Sequence, residues 1–194
     1  ISLNNREFMN AKDLSISEYS SHIIFITGGT KSGKSEFAEH LAKEVKDLSY
    51  VALSENNLDD KDWQDKINLH QKRRPKCWKL IETTDLINTL RKEKGPLLID
   101  SIGGFVMKSI GKEQNEWSTK MNSLMSLLMK RNSITIIVGE QVGWSLVSEY
   151  KIGNTYIERI GELQKRITKL SKDNWLAING RAIKIDEISI EIPT

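Results

Sequence analysis

The sequence predicts an α/β fold in which helices cover both faces of a mostly parallel sheet. Two observations support this: short apolar runs recur along the chain, and amphipathic helical patterns separate them. Strands joined through helices favour parallel pairing, because each crossover packs back onto the sheet. No repeat, low-complexity linker or shift of composition divides the chain. We therefore expect a single domain at 22–194, preceded by a polar N-terminal extension at 1–21.

The first elements follow from the spacing of apolar residues. The run at 23–27 predicts a strand, and apolar residues at helical spacing across 37–45 predict the helix after it. The short run at 49–53 predicts a second strand, which a polar stretch ends. A helical pattern follows at 63–70, and Pro75 ends or redirects the segment after it.

The second half repeats this alternation of helix and strand. In order, the predicted elements are a helix at 85–93, a strand at 95–100, a helix at 117–128, a strand at 133–140, a helix at 155–172 and strands at 174–180 and 182–192.

Composition excludes several classes of protein. Hydrophobic residues make up 38% and charged residues 28%, as is ordinary for a soluble globular domain. The net charge of +3, from 29 basic and 26 acidic residues, is too balanced for a nucleic-acid-binding face and argues against a DNA-repair or recombination ATPase. No apolar run approaches the ~20 residues of a membrane span. The single cysteine, Cys77, cannot form an internal disulfide, and 1–21 lack a secretory signal, so we expect a cytoplasmic protein.

The most informative motif is GGTKSGKS at 28–35, which has the spacing G-x-x-x-x-G-K-[ST] of a P-loop between a predicted strand and helix. Glycines let backbone N–H groups surround an anion, and the helix N-terminus adds a positive dipole. Lys34 supplies a charge for the β- and γ-phosphates, and Ser35 a hydroxyl for Mg²⁺. We expect a nucleoside triphosphate, ATP or GTP, to contact Gly28, Gly29, Thr30, Lys31, Ser32, Gly33, Lys34 and Ser35.

A P-loop also needs an acid at the end of another strand to organise the magnesium ion. The run at 95–100 ends on Asp100. Many strands end on aspartate as a turn residue, but beside a P-loop this carboxylate is expected on the magnesium side of the site. The predicted fold class is therefore an α/β sheet of the P-loop NTPase type.

A second segment points to a particular family. It carries, at fixed intervals, Asp59, Asp60, Ile67, His70, Arg74, Pro75, Trp78 and Glu82. Together with 28–35 and LLIDSIG at 97–103, it resembles the adenosylcobinamide kinase/adenosylcobinamide-phosphate guanylyltransferase family. The similarity continues through VGEQVGWSLVSEY and into the end of the chain, covering roughly 22–185.

The resemblance implies two reactions on adenosylcobinamide. The first transfers a γ-phosphoryl group from ATP or GTP to a hydroxyl, and the second transfers GMP from GTP through a histidine, which corresponds to His70. It also implies a nucleotide-binding role for Glu82, and a homotrimer with sites between subunits. Spacing alone favours a surface histidine in a basic helix end; the resemblance favours the nucleophile. A neutral imidazole is a competent nucleophile near neutral pH, and Arg73 and Arg74 could neutralise phosphate charge.

Several positions depart from the family pattern. Lys66 replaces an arginine, Ser101 a cysteine found in many members, and Ser148 a proline. The family segment N-E-V-G reads Glu140-Gln141-Val142-Gly143. In the next helix, R-x-F-R-D reads NTYIE, so Asn154 and Ile157 stand where arginines are expected. These changes motivate the hypothesis that one of the two activities is weakened.

Two other functions stay open at this point. A different P-loop small-molecule kinase would use His70 and its arginines as a phosphate clamp, without a covalent step. A non-catalytic nucleotide-binding relative would bind a triphosphate without turnover. The presence of Lys34, Ser35, Asp100 and His70 together argues against the second alternative.

Overall fold

A computed structural model describes residues 22–53, 74–144 and 148–193, and within them seven strands form one sheet. The strands are β1 (Ile23–Gly28), β2 (Ser49–Ala52), β3 (Lys79–Glu82), β4 (Leu97–Asp100), β5 (Thr135–Glu140), β6 (Asp173–Ile178) and β7 (Arg181–Lys184). The helices are α1 (Lys34–Ala42), α2 (Leu86–Lys92), α3 (Gly103–Met107), α4 (Gln114–Met129) and α5 (Lys151–Leu170), with a 3-10 turn at Ile185–Glu187.

The sheet has the order β3-β2-β4-β5-β1-β6-β7. All neighbouring strands pair in parallel except β7, which is antiparallel to β6. This arrangement confirms the predicted mostly parallel α/β sheet. The carboxyl ends of β1, β4 and β5 lie side by side near the middle of the sheet, where a crevice for ligands is expected in open α/β folds.

Both faces of the sheet are buried under helices, because each central strand is apolar on both sides. On one face, Ile24 and Ile26 of β1 pack with Leu41 of α1. On the other, Phe25 packs with Trp117 of α4 and with α5. The alternation along β1 thus places α1 opposite the layer formed by α2 to α5. This positions the N-terminus of α1 at the carboxyl edge of the sheet.

The sequence-based element predictions failed at three places among the described residues. The strand predicted at 182–192 is wrong beyond Lys184, because the chain turns there and the Asp186 carboxylate accepts hydrogen bonds from the Asn174 backbone N–H (2.7 Å) and side-chain amide (3.0 Å). Strand β3 was not predicted, since it lies at an edge and is mostly exposed. Helix α3 was also missed. The helix predicted at 63–70 lies outside the described residues.

In the described parts of the chain, no helix combines the length and the apolar character that a bilayer crossing requires.

Candidate active site

The predicted phosphate loop connects β1 to α1, as its motif requires. Gly33 precedes α1 with φ of +93°, a left-handed conformation that L side chains rarely adopt. At Gly28, a Cβ would collide with the backbone carbonyl oxygen of Ala177 on β6. The first and last glycines of the loop are therefore needed for two different reasons: close strand packing at one end and backbone conformation at the other.

Three polar side chains of the loop motif, those of Ser32, Lys34 and Ser35, differ in their surroundings. The Lys34 ammonium donates a hydrogen bond to the Gly29 carbonyl oxygen at 3.1 Å, so it folds back over the loop. The Ser32 hydroxyl is buried and has no hydrogen-bond partner within the described residues. A buried hydroxyl without a partner costs free energy unless a ligand or water completes it. Ser35 lies in the first turn of α1 and is half-buried.

The turn between β6 and β7 supports the loop from the side. Asn179 and Gly180 both have positive φ, at 50° and 74°, as in the type I′ turns that close tight hairpins. The N–H of Gly180 donates to the Ser32 carbonyl oxygen at 3.0 Å. Sequence reasoning missed this support, although the dipeptide Asn-Gly is a strong hairpin signal.

Asp100 ends β4 two strands from β1, at the same edge as the loop. Its Oδ2 accepts a hydrogen bond of 2.6 Å from the hydroxyl of Tyr50 on β2. Burial, and then the negative charge of Asp100, raise the pKa of Tyr50 above its ordinary value. Tyr50 is therefore a neutral donor, and it fixes one oxygen of the carboxylate.

Arg74 contacts Tyr50 and faces Glu39 among the described residues. Its guanidinium carbon is 3.4 Å from the centroid of the Tyr50 ring, and its Nε is 3.8 Å from Oε1 of Glu39 on α1. Trp78 stacks with the same ring at 6.5 Å. The assigned phosphate role of Arg74 stays a prediction, while Arg73 and His70 lie outside the described residues.

Glu82 is at the carboxyl end of β3, where the parallel register places it level with Ala52 and, one strand further, with Asp100. Two strand spacings separate it from Asp100, about 10 Å. Its side chain is exposed. The structure thus places Glu82 at the same edge of the sheet as Asp100, and its role in nucleotide binding stays a prediction.

A second carboxylate, not among the predicted site residues, lies between the loop and Asp100. Glu140 ends β5 directly beside Gly28 in the register. It accepts hydrogen bonds from the hydroxyl of Ser101 and from the N–H of Gly103, the latter at 3.1 Å. Burial raises the pKa of Glu140, the Ser101 hydrogen bond opposes the rise, and the charge of Asp100 adds to it. The signal that could have found it was the terminal position of β5 next to the loop strand.

An amide network holds the end of β5 in place. The Thr27 hydroxyl donates to Oε1 of Gln164 on α5 at 3.0 Å. The Gln164 amide donates to the Glu140 carbonyl oxygen at 2.8 Å, and the Gln141 amide donates to Gln164 at 3.3 Å. Gln141, which stands where the family has glutamate, therefore serves packing between β5 and α5.

Comparison with solved structures supports the fold. The chain is similar to a structure described as a prototypical ATPase from the type III secretion system of pathogenic bacteria, with a TM-score of 0.50 and 12% identity. The match covers 80% of this chain and 51% of that one, so this chain spans about half the length of the ATPase. At this identity the likeness concerns the fold, which is of the P-loop NTPase type.

Comparison with curated proteins is more specific. The chain is 24% identical to the bifunctional adenosylcobalamin biosynthesis protein CobU of Escherichia coli K12, over 84% of this chain and 99% of that protein. It is 25% identical to the CobU protein of Salmonella typhimurium, over 84% and 99% of the two chains. The sequence pattern of the family described as cobinamide kinase/cobinamide phosphate guanyltransferase matches residues 24–185. With this match spanning nearly the whole described sheet, the chain belongs to the cobinamide kinase/cobinamide phosphate guanyltransferase family.

Proposed function

We propose that this protein is a bifunctional transferase of cobalamin biosynthesis that phosphorylates adenosylcobinamide and then transfers GMP to the product. The observation that carries the proposal is the meeting of the loop at 28–35 and Asp100 at one edge of the sheet, in a chain of this family. Both groups lie at the carboxyl ends of parallel strands, where α/β folds bind nucleotides.

In the first reaction, the loop holds the triphosphate by its backbone N–H groups, and Lys34 neutralises charge on the β- and γ-phosphates. The acceptor hydroxyl oxygen bonds to the γ-phosphorus and gives up its proton to water, while the bond to the nucleoside diphosphate breaks and the diphosphate leaves. Mg²⁺, when bound with the nucleotide, neutralises phosphate charge. The hydroxyl of Ser35 and the carboxylate of Asp100 fit this ion, since both are oxygen donors and magnesium is usually held by few side chains plus phosphates.

In the second reaction, the imidazole of His70 attacks the α-phosphorus of GTP. A nitrogen–phosphorus bond forms, the bond to pyrophosphate breaks, and pyrophosphate leaves. An oxygen of cobinamide phosphate then attacks the same phosphorus and releases His70. Arg73 and Arg74 are proposed to neutralise phosphate charge, with Glu82 contacting the nucleotide and neighbouring subunits completing a homotrimer.

The test is incubation with GTP labelled at the α-phosphate. We expect a covalent label that is stable to base and labile to acid in the wild type, and no label in His70→Ala. His40→Ala, which changes an exposed histidine on α1, is the matched control and should be labelled normally. Label retained in His70→Ala would remove His70 from this role.

A parallel assay with γ-labelled nucleotide and adenosylcobinamide separates the alternatives. Phosphoryl transfer without any protein label would favour a small-molecule kinase that uses no covalent step. Tight GTP binding with neither transfer nor label would favour a non-catalytic relative.

A further inference from the structure

The contact between Tyr50 and Asp100 concerns the orientation of the carboxylate. The oxygen–oxygen distance of 2.6 Å lies in the range of a charge-assisted O–H···O⁻ hydrogen bond. The Tyr50 side chain can move only about two torsions, and the residue is 2% exposed. A buried ring therefore holds Oδ2 of Asp100 at a fixed place and leaves the other oxygen, Oδ1, free of this bond.

The Tyr50 ring is itself fixed by its neighbours. Arg74 stacks over it at 3.4 Å, and the same guanidinium faces the buried carboxylate of Glu39 on the helix that follows the phosphate loop. A cation over an aromatic face is attracted to the ring quadrupole, most strongly where solvent is excluded. Trp78 adds a second aromatic contact. The ring is thus held by Arg74 and Trp78 of one segment, and Arg74 in turn faces Glu39 of α1.

These contacts end on the carboxylate that the proposed function assigns to magnesium. A carboxylate without a fixing hydrogen bond rotates about its terminal torsion. When an ion binds, this rotation is lost, and the lost conformational entropy weakens binding. We propose that Tyr50 is a positioning residue whose hydroxyl orients Asp100 towards the magnesium–nucleotide complex, and that Arg74 holds Tyr50 in place for this task. The inference rests on the nucleotide site of the proposed function, and on no cobinamide chemistry.

The experiment measures nucleotide binding rather than turnover. A fluorescent GTP analogue is titrated into wild type and Tyr50→Phe, first in excess EDTA and then with increasing Mg²⁺. We expect unchanged affinity in EDTA, and an increase of about tenfold in the Mg²⁺ concentration that gives half of the magnesium-dependent gain. Tyr150→Phe makes the same change at an exposed position and should behave as wild type.

A double-mutant cycle tests whether Tyr50 acts through Asp100. In an Asp100→Ala background the acceptor oxygen of the Tyr50 hydroxyl is gone, so Tyr50→Phe should cause no further change in the Mg²⁺ response. Arg74→Lys keeps the charge but loses the planar stack, and should shift the Mg²⁺ response in the same direction by about threefold.

Three outcomes would overturn the inference. They are a wild-type Mg²⁺ response in Tyr50→Phe, an equal effect of that change in both backgrounds, and nucleotide binding by the wild type that magnesium does not enhance. A lowered melting temperature with an unchanged Mg²⁺ response would show that Tyr50 is merely structural. A chain with the expected Mg²⁺ behaviour but no transfer to cobinamide would contradict the proposed function alone.

Discussion

The N–H of Gly103 donates a hydrogen bond to Oε2 of Glu140 at 3.1 Å, which joins the start of α3 to the end of β5. The hydroxyl of Ser101 bonds to the other oxygen of the same carboxylate. The Glu140 carboxylate therefore ties the end of β5 to the segment that follows β4. The charge of Asp100 raises the pKa of Glu140, and the charge of Lys34 lowers it.

The first prediction is that Glu140 makes stability depend on pH. Burial raises the pKa of Glu140 in the folded state above the ordinary 4.5. At pH values between the unfolded-state pKa and the raised folded-state pKa, the folded protein keeps a proton on Glu140 that the unfolded chain has lost. The free energy of unfolding must then fall as pH rises through this window. In Glu140→Gln this fall should be smaller, so the variant gains relative to wild type as pH rises.

Urea denaturation at a series of pH values from 4 upward measures this difference. Glu149→Gln, which removes an exposed carboxylate, is the control. Parallel pH curves for wild type and Glu140→Gln would contradict the prediction.

The second prediction concerns Gly104 in α3. A Cβ there would overlap the backbone carbonyl of Leu53, which cannot move aside as a flexible side chain can. Gly104→Ala should therefore lower the free energy of unfolding by about 1–3 kcal/mol, although alanine ordinarily favours a helix. Gly111→Ala, where no described atom lies within 4 Å of the new methyl group, should change stability by less than about 0.5 kcal/mol. Equal effects of the two changes in thermal unfolding would refute the steric explanation.

The third prediction concerns Arg159, a buried cation that joins α5 to the turn after α3. Its guanidinium donates to the carbonyl oxygens of Ser109 at 2.5 Å, Ile110 at 3.2 Å and Lys112 at 2.5 Å. Arg159→Met leaves these carbonyl oxygens without the guanidinium donor and should lower the free energy of unfolding by about 3 kcal/mol. Arg166→Met, which removes an exposed bond to Asn122, should cost about 0.5 kcal/mol in the same denaturation assay. A loss at Arg159 no greater than that at Arg166 would show that the buried bonds add little.

The fourth prediction separates the Lys34 charge from the rest of the loop. Lys34→Met should weaken binding of a nucleoside triphosphate by at least about tenfold and binding of the monophosphate much less, because the lost charge serves the outer phosphates. Lys43→Met at the exposed end of α1 is the control. Calorimetric titration measures the affinity for both ligands. An equal loss of affinity for the triphosphate and the monophosphate would show that the Lys34 ammonium does not contact the outer phosphates.

The fifth prediction follows from the missing arginines of α5. We expect unequal turnover, with either phosphoryl transfer or GMP transfer clearly slower, and a gain in the slower rate when Asn154→Arg and Ile157→Arg are combined. Separate assays of the two transfers measure this. Two comparable and robust rates in the wild type would remove the hypothesis.

Much of the fold was predictable because its signals are local. The glycine spacing of the loop, the apolar run of β1 and the amphipathic pattern of α5 each lie within a few turns of the chain. Strand β3 was not predictable, because it has only four residues and begins and ends with the charged residues Lys79 and Glu82. Four residues are too few to show an apolar alternation. The isoleucines of 188–192 favour a strand by alternation, but no neighbouring strand pairs with them among the described residues.

The finer geometry of the site was beyond sequence reasoning because it depends on register between distant strands. Nothing near Tyr50 indicates that its hydroxyl meets Asp100, and nothing near Gly103 indicates Glu140. Both pairs are fixed by which strands become neighbours in the sheet. Asp100 could be predicted as a site residue from its type and its position at the end of a strand. Its hydrogen-bond partner could be identified only once the fold was known.

The hydrogen bond from Gly180 to Ser32 has a consequence for biosynthesis. Synthesis makes β1 and α1 early, whereas the hairpin that supports the loop emerges only when nearly all of the described chain has been made. Contacts between such distant segments also form slowly, because a long loop must close first. The loop at 28–35 therefore gains its full backbone support late, when the sheet is complete, and not when its first strand and helix have been made.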